Sequence, residues 1–294
     1  MNQGKDAAEA VLIVNPHSAG GSTYKNWEEI YSKIKEILGD VEIAFTKKSG
    51  DGTKLARHFL RQGFQKVIAL GGDGTINEVA NGFFEEIKVK DYQRTNGNTL
   101  FNLLGLRPLN PKAIMGLIPS GSRNVLAKSL GLPEGIVECS QRYVEAKPRK
   151  MDVVVAAVKE VPESPEMEVD DHNLVVRTFL NAAEIGAGAE IIDRSKRIRD
   201  RIPSRTISTI SSVVATLPTY ESNVCEINID NGQRRLISKM TMAVIANGRY
   251  LDGGFTAAPH ANISDGLLDL TILQNSGSFK MLEGFLNMQG KRTT

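Results

Sequence analysis

Residues 67–79 read Val67-Ile68-Ala69-Leu70-Gly71-Gly72-Asp73-Gly74-Thr75-Ile76-Asn77-Glu78-Val79. A short apolar run that meets a cluster of glycines predicts a buried strand followed by a tight turn. The next apolar residues recur at helical spacing, at Ile76, Val79, Ala80, Phe83, Phe84 and Ile87. Thr75 and Glu78 have the spacing of a capping box, which predicts that the helix is capped at Thr75. The stretch therefore predicts a strand, a tight turn and a helix.

The chemistry of such a turn follows from its geometry. The first N–H groups of a helix, together with the positive end of its dipole, favour a phosphate group. Glycines in the turn allow the backbone to approach that phosphate closely. Asp73 is unusual here because a carboxylate repels phosphate, and it is expected where it holds Mg²⁺ or steers a proton or hydroxyl. If only the glycines are considered, an ordinary strand–helix connection with an Asp in the turn is the alternative to a phosphate-binding site.

Strand and helix patterns alternate on both sides of this stretch. Apolar runs at 11–14, 41–45 and 114–118 predict further strands, and helical spacing separates them. The run at 114–118 ends in Pro119-Ser120-Gly121-Ser122-Arg123-Asn124, which predicts a second glycine turn with backbone amides for phosphate. Residues 88–112 are polar and predict a long excursion between strands. The alternation predicts a parallel sheet flanked by helices, with ligands at the carboxyl ends of its strands.

The pattern changes after about residue 147. Successive strand patterns without intervening helices predict a mainly antiparallel β domain, with a hairpin and type I′ turn at Asn231-Gly232. We therefore predict an α/β domain over residues 1–146 and a β-rich domain over residues 147–294. The active site is expected in the cleft between them.

Composition limits the partners and the compartment. The chain has 294 residues, 41% of them apolar, and a formal net charge of +2, so nothing in it demands nucleic acid. Cys139 and Cys225 have no metal spacing and favour a reducing, cytoplasmic compartment. No apolar run reaches the length of a membrane span. The basic cluster at 194–201 favours either a solvated helix face or peripheral contact with anionic lipid headgroups. The sequence leaves open whether the protein forms a homodimer.

Three blocks of the chain resemble one family. Residues 71–82 resemble the signature of the diacylglycerol kinase catalytic-domain superfamily, which includes sphingosine and ceramide kinases and bacterial soluble lipid kinases. Residues 121–127 are similar to its Gly-Thr-x-Asn-Asp-Phe-Ala segment, with Ser122 and Val125 in place of Thr and Asp. This form is closer to the sphingosine- and ceramide-type members. Residues 247–269 look like a segment of the superfamily's second domain.

The resemblance implies an ATP-dependent lipid kinase that transfers the γ-phosphate of ATP to a lipid alcohol, with Mg²⁺ as cofactor and Asp73 as catalytic residue. It implies that residues 1–146 form the nucleotide-binding domain and residues 147–294 the lipid-substrate domain. It implies nucleotide contacts at Asn15, Thr46, Gly72, Asp73, Gly74, Thr75, Ile76, Asn77, Glu78 and Ser122. It also implies a structural Mg²⁺ at Asn262, Asp265 and Leu267, a segment that a β-turn explains equally well.

Several alternatives stay open. Bacterial members carry an Asp-Gly-Glu segment near the C-terminus that supplies the general base, and no such segment follows Leu273 in a chain that ends at Thr294. Truncation, another carboxylate such as Asp73, or impaired activity would each explain this, so the base is unassigned. An NAD kinase shares the Gly-Gly-Asp-Gly core, and a non-catalytic nucleotide- or lipid-binding protein would keep the turns alone. The acceptor is open among diacylglycerol, a sphingoid base, ceramide, phosphatidylglycerol and a polyprenol-type alcohol.

Overall fold

The computed structural model describes residues 10–86, 106–159, 174–199, 201–202, 205–251 and 255–274. The chain divides into two compact units, Met1–Leu180 and Asn181–Thr294. The division of the chain at 146/147 into a nucleotide-binding domain and a lipid-substrate domain stays a prediction. The active-site cleft expected between these domains also stays a prediction. Most of the excursion predicted at 88–112 lies outside the described residues.

The first unit contains eight strands and six helices among its described residues. The strands are β1 (Ala10–Val14), β2 (Glu42–Phe45), β3 (Lys66–Gly71), β4 (Phe84–Glu86), β5 (Leu106–Pro108), β6 (Ile114–Pro119), β7 (Val154–Lys159) and β8 (Leu174–Phe179). The helices are α1 (Ser22–Lys25), α2 (Trp27–Leu38), α3 (Asp51–Arg61), α4 (Asp73–Gly82), α5 (Val125–Ser129) and α6 (Ile136–Glu145). A 3₁₀ turn covers Ser18–Gly21.

A four-stranded parallel sheet forms the centre of this unit, in the order β2-β1-β3-β6. Residues 11–14 of β1 and 67–70 of β3 are fully buried. Strands covered on both faces are continuous apolar runs, which explains why they could be predicted directly. The chain leaves β1 towards β2 and leaves β3 towards β6, so strand order reverses between β1 and β3. Open parallel sheets bind ligands at the carboxyl ends of the strands beside such a reversal.

The second unit is built on an antiparallel sheet. It contains β9 (Ala182–Gly186), β10 (Asn223–Ile229), β11 (Arg234–Ala246) and β12 (Asp269–Gln274), with β10, β12 and β9 all paired to β11. Its helices are α7 (Ala187–Arg199) and α8 (Arg205–Thr216). The predicted hairpin is confirmed, but its turn lies one residue earlier than the predicted Asn231-Gly232. It is centred on Asp230 and Asn231, whose φ angles of 52° and 56° are both positive, as a type I′ turn requires. The predicted fold class is thus confirmed, but the expectation of successive strands without intervening helices is wrong, since α7 and α8 lie between β9 and β10.

Among the described residues, no helix has the length and apolar character needed to cross a membrane.

Candidate functional site

The predicted turns meet at the carboxyl ends of the parallel strands. The backbone N–H of Ser120, after β6, donates to the carbonyl of Gly71, at the end of β3, at 2.9 Å. A Cβ atom on Gly121 would overlap the Cα of Gly72. Because backbone has no means of moving aside as a flexible side chain does, glycine is required at 121. The two glycine turns therefore form one continuous backbone surface.

Helix α4 begins at the first turn, but three residues earlier than predicted. It starts at Asp73 with Gly72 as N-cap, and the N-cap makes no side-chain hydrogen bond. The predicted capping box at Thr75 and Glu78 is therefore wrong, because the strand–turn geometry already places Thr75 inside the first turn. The N–H groups of Asp73, Gly74 and Thr75 are the ones that a helix leaves without intrahelical acceptors. Ile76, whose side chain is buried, donates its N–H to the carbonyl of Gly72 at 3.0 Å.

Asp73 joins the two glycine turns. Its Oδ1 accepts the N–H of Leu126, the second residue of α5, at 3.1 Å. In the part of the chain that the structure describes, Oδ2 has no hydrogen-bond donor. A carboxylate held by one oxygen and open at the other is a suitable ligand for Mg²⁺. The described residues contain no group of three His, Cys, Asp or Glu that could hold a metal. Mg²⁺ at Asp73 would thus depend on phosphate oxygens and water, as is usual for this ion.

Asn15, directly after β1, uses all of its polar groups within the protein. Its side-chain Nδ2 donates to Thr75 Oγ1 at 2.8 Å, and its Oδ1 accepts the N–H of His17 at 2.9 Å. Its backbone N–H donates to Leu70, and its carbonyl accepts the hydroxyl of Ser18 at 2.8 Å. Asn15 therefore positions Thr75 across the reversal point between β1 and β3. Its direct contact with a nucleotide stays a prediction.

A buried hydroxyl network connects the turn after β1 to the turn after β6. Ser18 Oγ lies 2.7 Å from Thr23 Oγ1 and 2.9 Å from Ser120 Oγ. Because the carbonyl of Asn15 can only accept, Ser18 donates its single hydrogen there, and the other two hydroxyls must donate to Ser18. Sequence reasoning missed this network, since Ser18 and Ser120 are 102 positions apart and neither belongs to a recognisable pair.

Glu78 holds the turn after β2. Its carboxylate accepts the N–H groups of Gly50 at 2.8 Å and Gly52 at 3.0 Å, at the start of α3. Ser49 Oγ donates to the same carboxylate at 3.2 Å. Thr46, at the start of this turn, is buried and donates its N–H to Val14 at 2.9 Å. Contacts of Thr46 and Glu78 with a nucleotide stay predictions, and the visible role of Glu78 is to anchor this turn to α4.

A second carboxylate acts on the same turn. Asp51 accepts the N–H groups of Lys47 at 2.9 Å and Lys48 at 3.0 Å. The backbone hydrogen bond from Lys47 is the main cause that lowers the pKa of Asp51. The turn after β2 therefore has one local carboxylate and one that comes from a distant helix.

Asn81 is a further residue that sequence reasoning did not single out. Its side-chain amide exchanges two hydrogen bonds of 2.8 Å with the backbone of Thr178 in β8. The next residue, Gly82, lies against α3, where an added Cβ would be 2.5 Å from Ala56 Cβ. The end of α4 is therefore fixed on two sides, by the β7–β8 hairpin and by α3. The only sign of their role in the sequence was that Asn81 and Gly82 lie in residues 71–82, the segment that resembles the family signature.

The remaining predicted residues of the first unit lie around the same turns. Gly72 and Asn77 are half-buried, whereas Gly74 and Ser122 are exposed. The structure thus brings together the turns after all four parallel strands. Nucleotide contacts at these four residues stay predictions.

The residues predicted to bind a structural Mg²⁺ lie on one exposed turn of the second unit. Asn262 Oδ1 accepts the N–H of Ser264 at 3.3 Å, and Asp265 Oδ1 accepts the N–H of Leu267 at 3.0 Å. Asn262, Asp265 and Leu267 are all exposed. One carboxylate with amide and carbonyl oxygens suits an Mg²⁺ that keeps water ligands. The same hydrogen bonds are those of an ordinary turn, so this metal site stays a prediction.

Comparisons with protein families agree with the two units. The model of the diacylglycerol kinase catalytic domain matches residues 9–156, which include both glycine turns. The model of the YegS C-terminal NAD kinase beta sandwich-like domain matches residues 181–292.

Similar proteins extend over nearly the whole chain. A probable lipid kinase YegS-like from Chromohalobacter salexigens is 26% identical over 276 residues, or 94% of this chain and 74% of the relative. A diacylglycerol kinase of Bacillus subtilis is 25% identical, covering 91% of this chain and 74% of that protein. A crystal structure of a putative diacylglycerol kinase from Bacillus anthracis str. Sterne matches with a TM-score of 0.68 at 22% identity, covering 99% and 82% of the two chains. This last likeness shows the fold.

Proposed function

The chain belongs to the diacylglycerol kinase catalytic-domain family, and from that premise we propose that it is an ATP-dependent lipid kinase that phosphorylates a lipid hydroxyl. The observation that carries this proposal is the junction of two glycine turns through Asp73 at the carboxyl edge of a parallel sheet. That edge beside a reversal of strand order is where open α/β sheets bind nucleotides.

The phosphates of ATP would bind at the first turn of α4. The N–H groups of Asp73, Gly74 and Thr75 have no acceptor inside the helix and lie at the positive end of its dipole. The exposed hydroxyl of Ser122 on the second turn would add a donor. Asn15 holds Thr75 in place for this contact. Since phosphoryl transfer depends mostly on positioning and electrostatics, a rigid set of donors suits this reaction.

Asp73 is proposed to act through its Oδ2 atom. Oδ1 is fixed by Leu126, so the direction of the carboxylate is set before a substrate arrives. Asp73 would hold Mg²⁺, which when bound offsets the charge that builds up on the transferred group. An alternative role of the same carboxylate is to orient the acceptor hydroxyl, and Asp73→Asn removes the charge that either role needs.

The acceptor is proposed to be a lipid alcohol of the diacylglycerol or sphingoid class. The two curated relatives described above are named as a probable lipid kinase and a diacylglycerol kinase. Residues 147–294 are proposed to shape the lipid side of the site. A cytoplasmic enzyme would meet such an acceptor at a membrane surface.

Transfer of radiolabelled phosphate from ATP tests the proposal. The full chain is incubated with labelled ATP and Mg²⁺ and offered diacylglycerol, sphingosine, ceramide, phosphatidylglycerol or NAD in separate reactions. Label in a lipid product is expected. Label in NAD alone would reject the lipid-kinase assignment in favour of an NAD kinase. Binding of ATP without transfer to any acceptor would favour a non-catalytic binding protein.

A further inference from the structure

A hydrogen bond between two serine side chains crosses the end of β3. In the first sheet, β3 lies between β1 and β6 and pairs with both. Two strands separated by a third lie about 10 Å apart, since neighbouring strands are about 4.8 Å apart. Ser18 follows β1 and Ser120 follows β6, yet their hydroxyl oxygens lie only 2.9 Å apart. We refer to this hydrogen bond as the serine bridge.

The serine bridge is shielded from water, since Ser18 is 7% exposed and Ser120 is 8% exposed. A hydrogen bond in such a place does not compete with solvent, so it holds its two partners more firmly than an exposed one. Ser120 is the donor, because Ser18 donates its only hydrogen to the carbonyl of Asn15. The serine bridge therefore joins a defined donor after β6 to a defined acceptor after β1.

The backbone that follows Ser18 has an unusual conformation. Ala19, Gly20 and Gly21 have φ angles of 51°, 69° and 87°, so three successive residues are left-handed. Alanine has a Cβ atom, which makes this conformation unfavourable. Strained backbone of this kind persists where the surrounding structure fixes it, and it is common at ligand-binding turns. Since Ser18 lies directly before the left-handed residues, the serine bridge fixes the point where they begin.

The serine bridge lies beside the atoms that are proposed to bind phosphate. The turn after β3, which begins α4, lies between the two bridged turns. On one side Asn15 donates to Thr75 Oγ1 at 2.8 Å, and on the other the N–H of Ser120 donates to the carbonyl of Gly71 at 2.9 Å. With the serine bridge, these contacts form a closed ring around the end of β3. A triphosphate at this edge of the sheet would meet turns whose spacing the bridge sets.

We propose that the serine bridge holds the turns after β1 and β6 at the spacing that the triphosphate of ATP requires, with Ser120 as a positioning residue. The inference rests on the proposed function and deepens it, since it assigns affinity for ATP to a contact between two buried side chains. Without the bridge the two turns are free to separate, and part of the binding free energy then goes into restoring their spacing. Affinity for ATP should fall, whereas the chemical step should proceed as before once ATP is bound.

Ser120→Ala removes the serine bridge and leaves its surroundings in place. Ser18 keeps its hydrogen bonds with Asn15 and Thr23, and the backbone of residue 120 keeps its bond to Gly71. We expect the Kd for ATP, measured by titration calorimetry with Mg²⁺, to rise about fivefold, as for the loss of one hydrogen bond. At saturating ATP, kcat with the accepted lipid should stay within about twofold of wild type, as when only ground-state binding is lost.

Ser140→Ala is the matched control. Ser140 is also buried, but its hydroxyl donates to the carbonyl of Ile136 in its own helix at 2.7 Å. Each variant loses one buried hydroxyl, so a purely structural role of Ser120 would change the melting temperature of both variants and the Kd of neither. Ser18→Ala/Ser120→Ala should raise the Kd no further than Ser18→Ala alone, because the two residues share one bond. Thermal melting checks that every variant is folded.

The outcomes separate this inference from the proposed function. An unchanged Kd in Ser120→Ala, or effects of Ser18→Ala and Ser120→Ala that add, would overturn the inference and leave the kinase assignment intact. An equal rise of the Kd in Ser140→Ala would also overturn it, because the effect would then follow from a general loss of stability. Wild type that neither binds ATP nor transfers phosphate would overturn the proposed function and the inference together.

Discussion

The strand-end turns of the first unit and the turn at 262–267 of the second are held by opposite kinds of contact. In the first unit, Asp73 reaches Leu126 and Ser18 reaches Ser120, 53 and 102 positions away along the chain. At 262–267, Asn262 and Asp265 each bond a backbone N–H only two positions further on. A site held by distant contacts is fixed by the whole fold, whereas a local turn can form and break by itself. Substitutions should therefore have large effects at the first and small effects at the second.

The largest effect is expected from Asp73→Asn. Asparagine keeps an oxygen for the N–H of Leu126, so the turns remain joined while the negative charge is lost. We expect turnover with the accepted lipid to fall by at least about 100-fold, as for loss of one preorganised electrostatic group. Asp230→Asn, on an exposed hairpin turn, is the control and should keep full activity. Full activity in Asp73→Asn would remove this residue from the mechanism.

Gly121→Ala should come next, as a test of the contact between the two glycine turns. The added methyl would overlap Gly72 Cα, and we expect the free energy of unfolding to drop by about 1–3 kcal/mol, as in other overpacked sites. At Gly74, an added Cβ meets no atom of the described chain within 4 Å. Gly74→Ala should thus be neutral or stabilising by up to about 1 kcal/mol, since alanine favours helix. Equal urea midpoints for the two variants would mean that the turns do not touch as described.

Glu78→Gln tests the distant anchor of the turn after β2. Glutamine retains one acceptor oxygen, but its amide group would face a second N–H donor from Gly50 or Gly52. A loss of about 1–2 kcal/mol in unfolding free energy is expected, together with faster hydrogen exchange at residues 49–53. Glu28→Gln, on the exposed face of α2, should change neither quantity. Unchanged exchange in Glu78→Gln would show that the turn holds itself.

Asp51→Asn tests the local anchor of that turn through pH. The folded-state pKa of Asp51 lies below its ordinary value of about 3.9, mainly because Lys47 donates its N–H to the carboxylate. Its ionised form therefore stabilises the fold above about pH 4, and this contribution is lost as pH falls through the lowered pKa. Unfolding curves of wild type and variant should differ slightly at pH 7 and converge in acid. A gap that widens below pH 4 would contradict this.

The smallest effect is expected from Asp265→Asn. The residue is exposed and, among the described residues, its carboxylate bonds only Leu267, so the free energy of unfolding should change by less than about 0.5 kcal/mol in the absence of divalent cations. Added Mg²⁺ sharpens the comparison. If the predicted metal site exists, Mg²⁺ should raise the melting temperature of wild type but not of the variant. An identical response of the two proteins would contradict the predicted Mg²⁺ site and leave residues 262–267 as an ordinary turn.

Much of the fold could be predicted from runs of apolar residues. The strands around residues 11–14, 67–70 and 114–118 are confirmed because buried parallel strands are continuous and apolar, a signal carried by adjacent residues. The predicted start of α4 was wrong. Thr75 and Glu78 have the spacing of a capping box, but the position where β3 ends makes the helix begin at Asp73. Glu78 instead bonds the start of α3, a partner 26–28 positions away that local spacing cannot identify.

The sequence by itself determined which chemical groups this protein has and the order in which they occur: two glycine turns, an acid in the first, and strands that alternate with helices in the first unit. Tertiary structure alone decided that the turns touch, that Asn15 holds Thr75 and that Asp73 holds Leu126. The physical reason is distance along the chain. Propensity and periodicity act between neighbours, whereas these contacts exist only once a parallel sheet has brought the ends of four strands to one edge.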